Sequence, residues 1–208
     1  MAKQLVFVFA RAPRYGAVKT RLARDIGALA TLRFYRFVLA RLVRRLKNDR
    51  RFEIVLAVTP DSAVREQGLW PSGVRVVGQG PGELGPRMMR VLRSAGVGPA
   101  VIVGSDIPGV TASHIARAFT ELGRKQYVLG PARDGGYWLI GARHPPQIRE
   151  HSLSGVRWSS AFALSDTAAR LGDVAVLADV LDDVDDGTAY VRMRRHASTS
   201  RVTSPSFW

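Results

Sequence analysis

Opposite charges gather in this chain at the ends of apolar runs, where a fold of alternating strands and helices can bring them together. The basic group is Arg11-Ala12-Pro13-Arg14-Tyr15-Gly16-Ala17-Val18-Lys19-Thr20-Arg21, a loop punctuated by Pro13 and Gly16. Lys and Arg side chains and backbone amides in such a loop hold phosphate. It carries neither the Gly-Lys-Ser/Thr of a Walker A loop nor a Gly-x-Gly-x-x-Gly dinucleotide loop. The alternative is a solvated surface loop. Among the acids, Asp106 follows the apolar run Ala100–Val103 through Gly104 and Ser105, and Pro108 prevents the run from continuing. There it can hold a divalent cation against a phosphate, or only cap a helix near Thr111 or close an Asx turn. Asp134, in Asp134-Gly135-Gly136, can face the same crevice or simply make its turn. Leu181-Asp182-Asp183-Val184-Asp185-Asp186 is a dense acidic cluster in a basic protein. Its alternate carboxylates can share a cation, whereas Asp186 would suit a helix cap ahead of Gly187.

The elements that position these residues are legible from periodicity. Leu5–Ala10, Phe52–Val58, Val74–Val77, Val101–Val103, Tyr127–Pro131, Tyr137–Ile140 and Val174–Leu177 read as strands. The strand at Tyr137 returns from a tight turn and is expected to be antiparallel. Leu32, Tyr35, Val38, Leu39, Leu42, Val43 and Leu46 follow helical spacing within a segment from Leu22 to Lys47 that Gly27 divides. Gly78-Gln79-Gly80-Pro81-Gly82 is a shaped loop before a helix near Glu83. A later helix, from about Ala161 to Leu171, has Ser159 or Ser160 as its expected N-cap. Strands alternating with helices predict an α/β fold with a mostly parallel central sheet, helices on both faces and one late antiparallel strand. Ligands of such sheets bind beyond the carboxyl ends of the strands.

With 208 residues and 46% hydrophobic content the chain can bury one sizeable core. We expect one domain over residues 1–195 and a disordered basic tail over 196–208. Without cysteine, disulfides, thiolate metal sites and cysteine nucleophiles are excluded. The apolar run from Leu5 is too short for a signal-peptide core, and no run spans a bilayer, which leads us to expect a soluble cytoplasmic protein. The formal charge is +14, with 31 Lys+Arg against 17 Asp+Glu. That favours anionic partners such as nucleotides, nucleic acid or an acidic membrane surface. No nucleic-acid-binding motif is present, and no aromatics interleave with the basic helix face.

Several stretches together resemble a family of small bacterial proteins of the glycosyltransferase-A fold, within the nucleotide-diphospho-sugar transferase superfamily. Its members are described as uncharacterised or as glycosyltransferases linked to arsenosugar synthesis. The resemblance is carried by Phe9-Ala10-Arg11-Ala12-Pro13 to Val18-Lys19-Thr20-Arg21-Leu22, then Gln79-Gly80-x-Gly82-Glu83-Leu84-Gly85-x-Arg87-Met88 and Gly104-Ser105-Asp106-Ile107-Pro108. It continues in Leu129-Gly130-Pro131-Ala132-x-Asp134-Gly135-Gly136-Tyr137-Trp138-Leu139-Ile140-Gly141 and Trp158-Ser159-Ser160. It implies a nucleotide-activated donor and a small-molecule acceptor, with Mg²⁺ or Mn²⁺ as cofactor. By position it makes Arg11, Lys19, Arg21 and Arg87 nucleotide or phosphate contacts. Asp106 becomes a metal ligand, with Asp185 (or Asp183) as a second. Asp134 becomes a catalytic group, and Tyr137 and Trp158 border the acceptor pocket. Glu83 and Ser160 replace the family's usual Asp and Thr. Asp183-Val184-Asp185-Asp186-Gly187 lacks the Thr-Pro-Glu-Asp continuation common among the superfamily's nucleotidyltransferases. That difference favours glycosyl transfer over nucleotidyl transfer, in which a nucleoside triphosphate joins a phosphorylated acceptor and pyrophosphate leaves.

Overall fold

The structure is a computed structural model that describes residues 4–202. Its strands are β1 (Gln4–Arg11), β2 (Phe52–Thr59), β3 (Arg75–Gly78), β4 (Ala100–Gly104), β5 (Tyr127–Pro131), β6 (Tyr137–Ala142) and β7 (Val174–Val176). Among the described residues they form one seven-stranded sheet in the order β3-β2-β1-β4-β6-β5-β7. Strand β6 runs antiparallel to both neighbours, β4 and β5, and the other pairings are parallel. This is the α/β architecture expected from the alternation of strands and helices.

The central strands lack polar alternation because both of their faces are covered. In β1, Val6, Val8 and Ala10 face one core with Leu39, Leu42, Val43 and Leu46 of α2 (Ala28–Lys47). The same core takes Ile115, Ala118, Phe119 and Leu122 of α4 (Ala112–Leu122). On the other face Phe7 meets Met88, Met89, Val91 and Leu92 of α3 (Leu84–Arg93), and Ala163 of α5 (Ala163–Leu171). Each fully buried aliphatic side chain contributes about 1.5–3 kcal/mol.

Gly27 separates α1 (Thr20–Ile26) from α2, as its position in the pattern suggested. Two cap expectations change. The N-cap of α5 is Phe162, without a side-chain cap; the Ser160 hydroxyl instead accepts from the Phe162 amide at 3.2 Å, one turn early. Asp106 does not cap α4, because Thr111 does so in a reciprocal box with His114. Asp186 does accept from the Ala189 amide at 2.8 Å, near the start of α6 (Gly187–Val202). The α6 backbone continues to Val202, so the expected tail is helical from His196 to Val202, and its remainder lies outside the described residues. Among the described residues no helix is long and apolar enough to cross a membrane.

Candidate active site

Asp106 stands just beyond the carboxyl end of β4. Ser105 is tied to the neighbouring strand by its amide, which donates to the Phe9 carbonyl at 3.1 Å. Gly104 allows the chain to fold back, since a Cβ there would lie 2.8 Å from Ile107 Cδ1 and 3.2 Å from Asp106 Oδ1. The Asp106 turn itself thus makes the close approach that requires glycine at this position. Tyr35 of α2 locks the same corner. Its buried hydroxyl accepts from the Arg11 amide at 3.0 Å and lies 3.1 Å from the Arg11 carbonyl and 3.0 Å from Ser105 Oγ. Burial raises the Tyr35 pKa, so it remains a neutral donor and acceptor. Sequence reading treated Tyr35 only as part of a helical stripe; a lone hydroxyl among aliphatic positions was the available signal.

The acidic cluster reaches Asp106 by a return path over the sheet edge. After β7, the Leu177 amide donates to Leu129 and the Leu181 amide to Pro131, both of β5. The Val184 amide then donates to the Asp106 carbonyl at 3.3 Å. This places Asp183 and Asp185 beside Asp106, and Lys19 fills the point between the three. Its Nζ lies 2.6 Å from Asp106 Oδ2, 2.9 Å from Asp183 Oδ2 and 2.7 Å from Asp185 Oδ1. Only 7% of the Lys19 side chain is exposed. Burial by itself lowers the Lys19 pKa, but attraction from Asp106 and Asp183, with the hydrogen bonds, leaves it above its ordinary 10.5. Burial raises the Asp183 carboxyl, assisted by Asp106 and Asp185 and opposed by Lys19. Lys19 also adopts left-handed backbone, φ 48° and ψ 53°. For a residue with a side chain that costs about 1–2 kcal/mol, which the surrounding ion pairs hold in place.

The residues expected to bind phosphate are thus divided. Lys19 is drawn into the carboxylates. Arg21 is exposed and lies 3.8 Å from Asp185 Oδ2. Arg11 points its guanidinium toward the Ala17 carbonyl at 3.5 Å. Arg87 donates to Gln79 Oε1 at 3.0 Å while its Nε is buried without a partner. Burial, with Arg11 nearby, lowers the Arg87 pKa. Gln79 is itself buried and donates to the Ala57 carbonyl at 2.8 Å. It fixes Arg87 against the ends of β1 and β2, a role sequence reading did not assign.

Asp106, Asp134 and Asp183 line one cavity of about 310 Å³, together with Tyr137 and Trp158. Asp134 also makes its turn, Oδ1 accepting from the Gly136 amide at 2.9 Å, so the two readings of this residue coexist. Tyr137 and Trp158 meet edge to face at 6.4 Å between ring centres. Among the described residues, Ser159, next to Trp158, is the other non-glycine residue with left-handed backbone, φ 56°.

As a donor set, Asp106, Asp183 and Asp185 supply the hard carboxylate oxygens that Mg²⁺ and Mn²⁺ prefer. Among the described residues no group of three or more His, Cys, Asp or Glu is arranged to hold a metal ion. The chemistry of the set fits such a cation, and the ammonium of Lys19 stands in the position these carboxylates share.

Comparison with solved structures identifies the fold. A protein from Desulfovibrio desulfuricans G20, assigned as a nucleotide-diphospho-sugar transferase, superposes with a TM-score of 0.80 at 24% identity, covering 99% of this chain and 100% of its own. A nucleotidyl transferase from Methanothermobacter gives 0.64 at 16% identity, covering 96% and 100%. Glucosyl-3-phosphoglycerate synthase from Mycobacterium tuberculosis, in complex with Mn²⁺, uridine diphosphate and glucosyl-3-phosphoglycerate, gives 0.52 at 16% identity, covering 99% and 82%. No curated protein matches the chain. Residues 42–160, which include Arg87, Asp106, Asp134, Tyr137 and Trp158 of the site just described, match the model of a family described as uncharacterized protein conserved in bacteria, DUF2064, and the chain belongs to that family.

Proposed function

We propose that the protein is a metal-dependent transferase with a nucleotide-activated donor, moving a glycosyl group from a nucleotide sugar to a small acceptor. The observation that carries this reading is the meeting of Lys19 with Asp106, Asp183 and Asp185 at the carboxyl edge of the sheet, beside a 310 Å³ cavity. Support also comes from the shared fold, one example of which binds Mn²⁺ and uridine diphosphate.

In this reading Asp106 and Asp185 hold Mg²⁺ or Mn²⁺, with Asp183 beside them. The cation supplies charge neutralisation for a departing diphosphate. Lys19 must withdraw from the three carboxylates for them to take it, and its freed ammonium then pairs with phosphate. Arg11, Arg21 and Arg87 complete the cationic side. Asp134, its Oδ1 held by the Gly136 amide, offers Oδ2 to an acceptor hydroxyl. As the sugar–diphosphate bond breaks and the bond to the acceptor oxygen forms, the hydroxyl proton passes to that carboxylate. Incubation with a panel of nucleotide sugars, Mn²⁺ and candidate alcohols should release nucleoside diphosphate. Pyrophosphate release from nucleoside triphosphates with phosphorylated acceptors would replace this reading with nucleotidyl transfer.

A further inference from the structure

We infer that the acceptor is uncharged or cationic, with an apolar or aromatic body bearing a hydroxyl, and carries no phosphate or carboxylate. The inference rests on the transferase reading and names the substrate class of the same site. Phe9, Ile102, Ile140 and Met88 give the cavity an apolar floor, and Tyr137 and Trp158 give it an aromatic wall. Its charged lining consists of Asp106, Asp134 and Asp183. The chain has 31 Lys+Arg residues, yet among the described residues no Lys, Arg or His lines this cavity.

The cations adjacent in sequence are turned away from it. Arg133, beside Asp134, donates through Nε to Asp182 Oδ2 at 2.8 Å. Arg157, beside Trp158, makes a two-pronged pair with Asp166 at 2.8 Å on each arm, and its guanidinium lies 4.0 Å from the centre of the Phe162 ring. Lys19 is already shared among three carboxylates. With Lys19 and the bound cation taken up by the donor's diphosphate, an acceptor phosphate or carboxylate at the Asp134, Tyr137 and Trp158 end would meet like charge and find no free cation. An alcohol would find aromatic faces for its body and a carboxylate, Asp134, for its hydroxyl. The Tyr137 hydroxyl accepts from Thr167 Oγ1 at 3.5 Å and donates to Met88 Sδ at 4.0 Å, a weak thioether acceptor that an acceptor hydroxyl would replace.

The test titrates the protein, in the presence of Mn²⁺ and a nucleoside diphosphate, with 2-phenylethanol, 2-phenylethylamine and 2-phenylethyl phosphate, read by calorimetry. The alcohol and the amine should bind about tenfold or more tightly than the phosphate ester. Trp158→Ala should weaken both, and Asp134→Asn should narrow the preference for the amine. Equal or tighter binding of the phosphate ester, or no binding by any of the three, overturns the inference; the wild-type comparison needs no variant to fold. Mn²⁺-dependent binding of nucleoside diphosphates to the same sample tests the transferase reading separately. If that binding is present while the phosphate ester is preferred, only the acceptor class falls. If it is absent while the alcohol is preferred, the transferase reading falls and the selectivity of the cavity stands.

Discussion

The two halves of the sheet edge differ in charge and in how they are assembled. On the β3-β2-β1 side, Arg11, Arg14, Lys19 and Arg21 come from the end of β1, the connection after it and the start of α1, and Arg87 is held there by Gln79. On the β4-β6-β5 side, Asp106, Asp134 and Asp183 come from three separate connections and share an apolar, aromatic cavity. Lys19 crosses the divide and closes its ion pairs with the acidic half. In the proposed reading, that edge offers cations to an anionic donor and an apolar cavity to a second substrate. A buried ammonium among carboxylates is strongly held only while every partner is present, so removal of any one of them should be felt by the rest.

Three changes would break or sharpen this division. The largest effect on stability is expected at the turn carrying Asp134. Gly135 has φ +83°, and a Cβ on it would stand 2.3 Å from the Ala161 carbonyl oxygen. Gly135→Ala should therefore cost about 3 kcal/mol in denaturant unfolding and disrupt the acceptor half before the donor half. Next, Lys19→Met should raise the Mn²⁺ affinity of the nucleotide-free protein by roughly tenfold, because the carboxylates lose their internal cation. The same change should weaken nucleoside diphosphate binding, as read by isothermal titration. An unchanged Mn²⁺ affinity would show that Lys19 does not compete for that position.

The smallest effect concerns pH. The hydrogen bond from Arg157 holds the Asp166 carboxyl down at about 2 from its ordinary 3.8. A depressed acid stabilises the fold above its unfolded value and loses that contribution as pH falls through the folded value. The Trp158 loop should thus keep its Arg157–Asp166 clasp at pH 4 and lose it progressively toward pH 2. Asp166→Asn should remove this acid transition from the tryptophan fluorescence. The Arg157 side of the pair is exposed, so its contribution at neutral pH is small.

The same asymmetry explains what the sequence revealed. Strands β1, β2 and β4 were legible because burial on both faces removes polar alternation, and the Gly27 break was legible because glycine interrupts a strong helical stripe. The basic loop was visible as a run of neighbours. The arrival of Asp183 at Asp106 was not, because it depends on amides at Leu177, Leu181 and Val184 finding carbonyls on β5 and beyond β4. The engagement of Lys19 with that cluster spans more than 160 positions, which no local pattern encodes. Tyr35 and Gln79 were missed for a related reason: each acts through buried hydrogen bonds to distant backbone, which leave no spacing signal.

The central claim is that the carboxylates beside Lys19 link a divalent cation to a nucleotide. It is tested most directly by calorimetric titration of nucleoside diphosphates into wild-type protein and Asp106→Asn, each with and without Mn²⁺. Wild type should bind at least one nucleoside diphosphate about tenfold or more tightly with Mn²⁺ than without it, and Asp106→Asn should lose that gain while keeping its fold. Binding that is the same with and without Mn²⁺ in wild type, or a gain that survives intact in Asp106→Asn, would contradict the account.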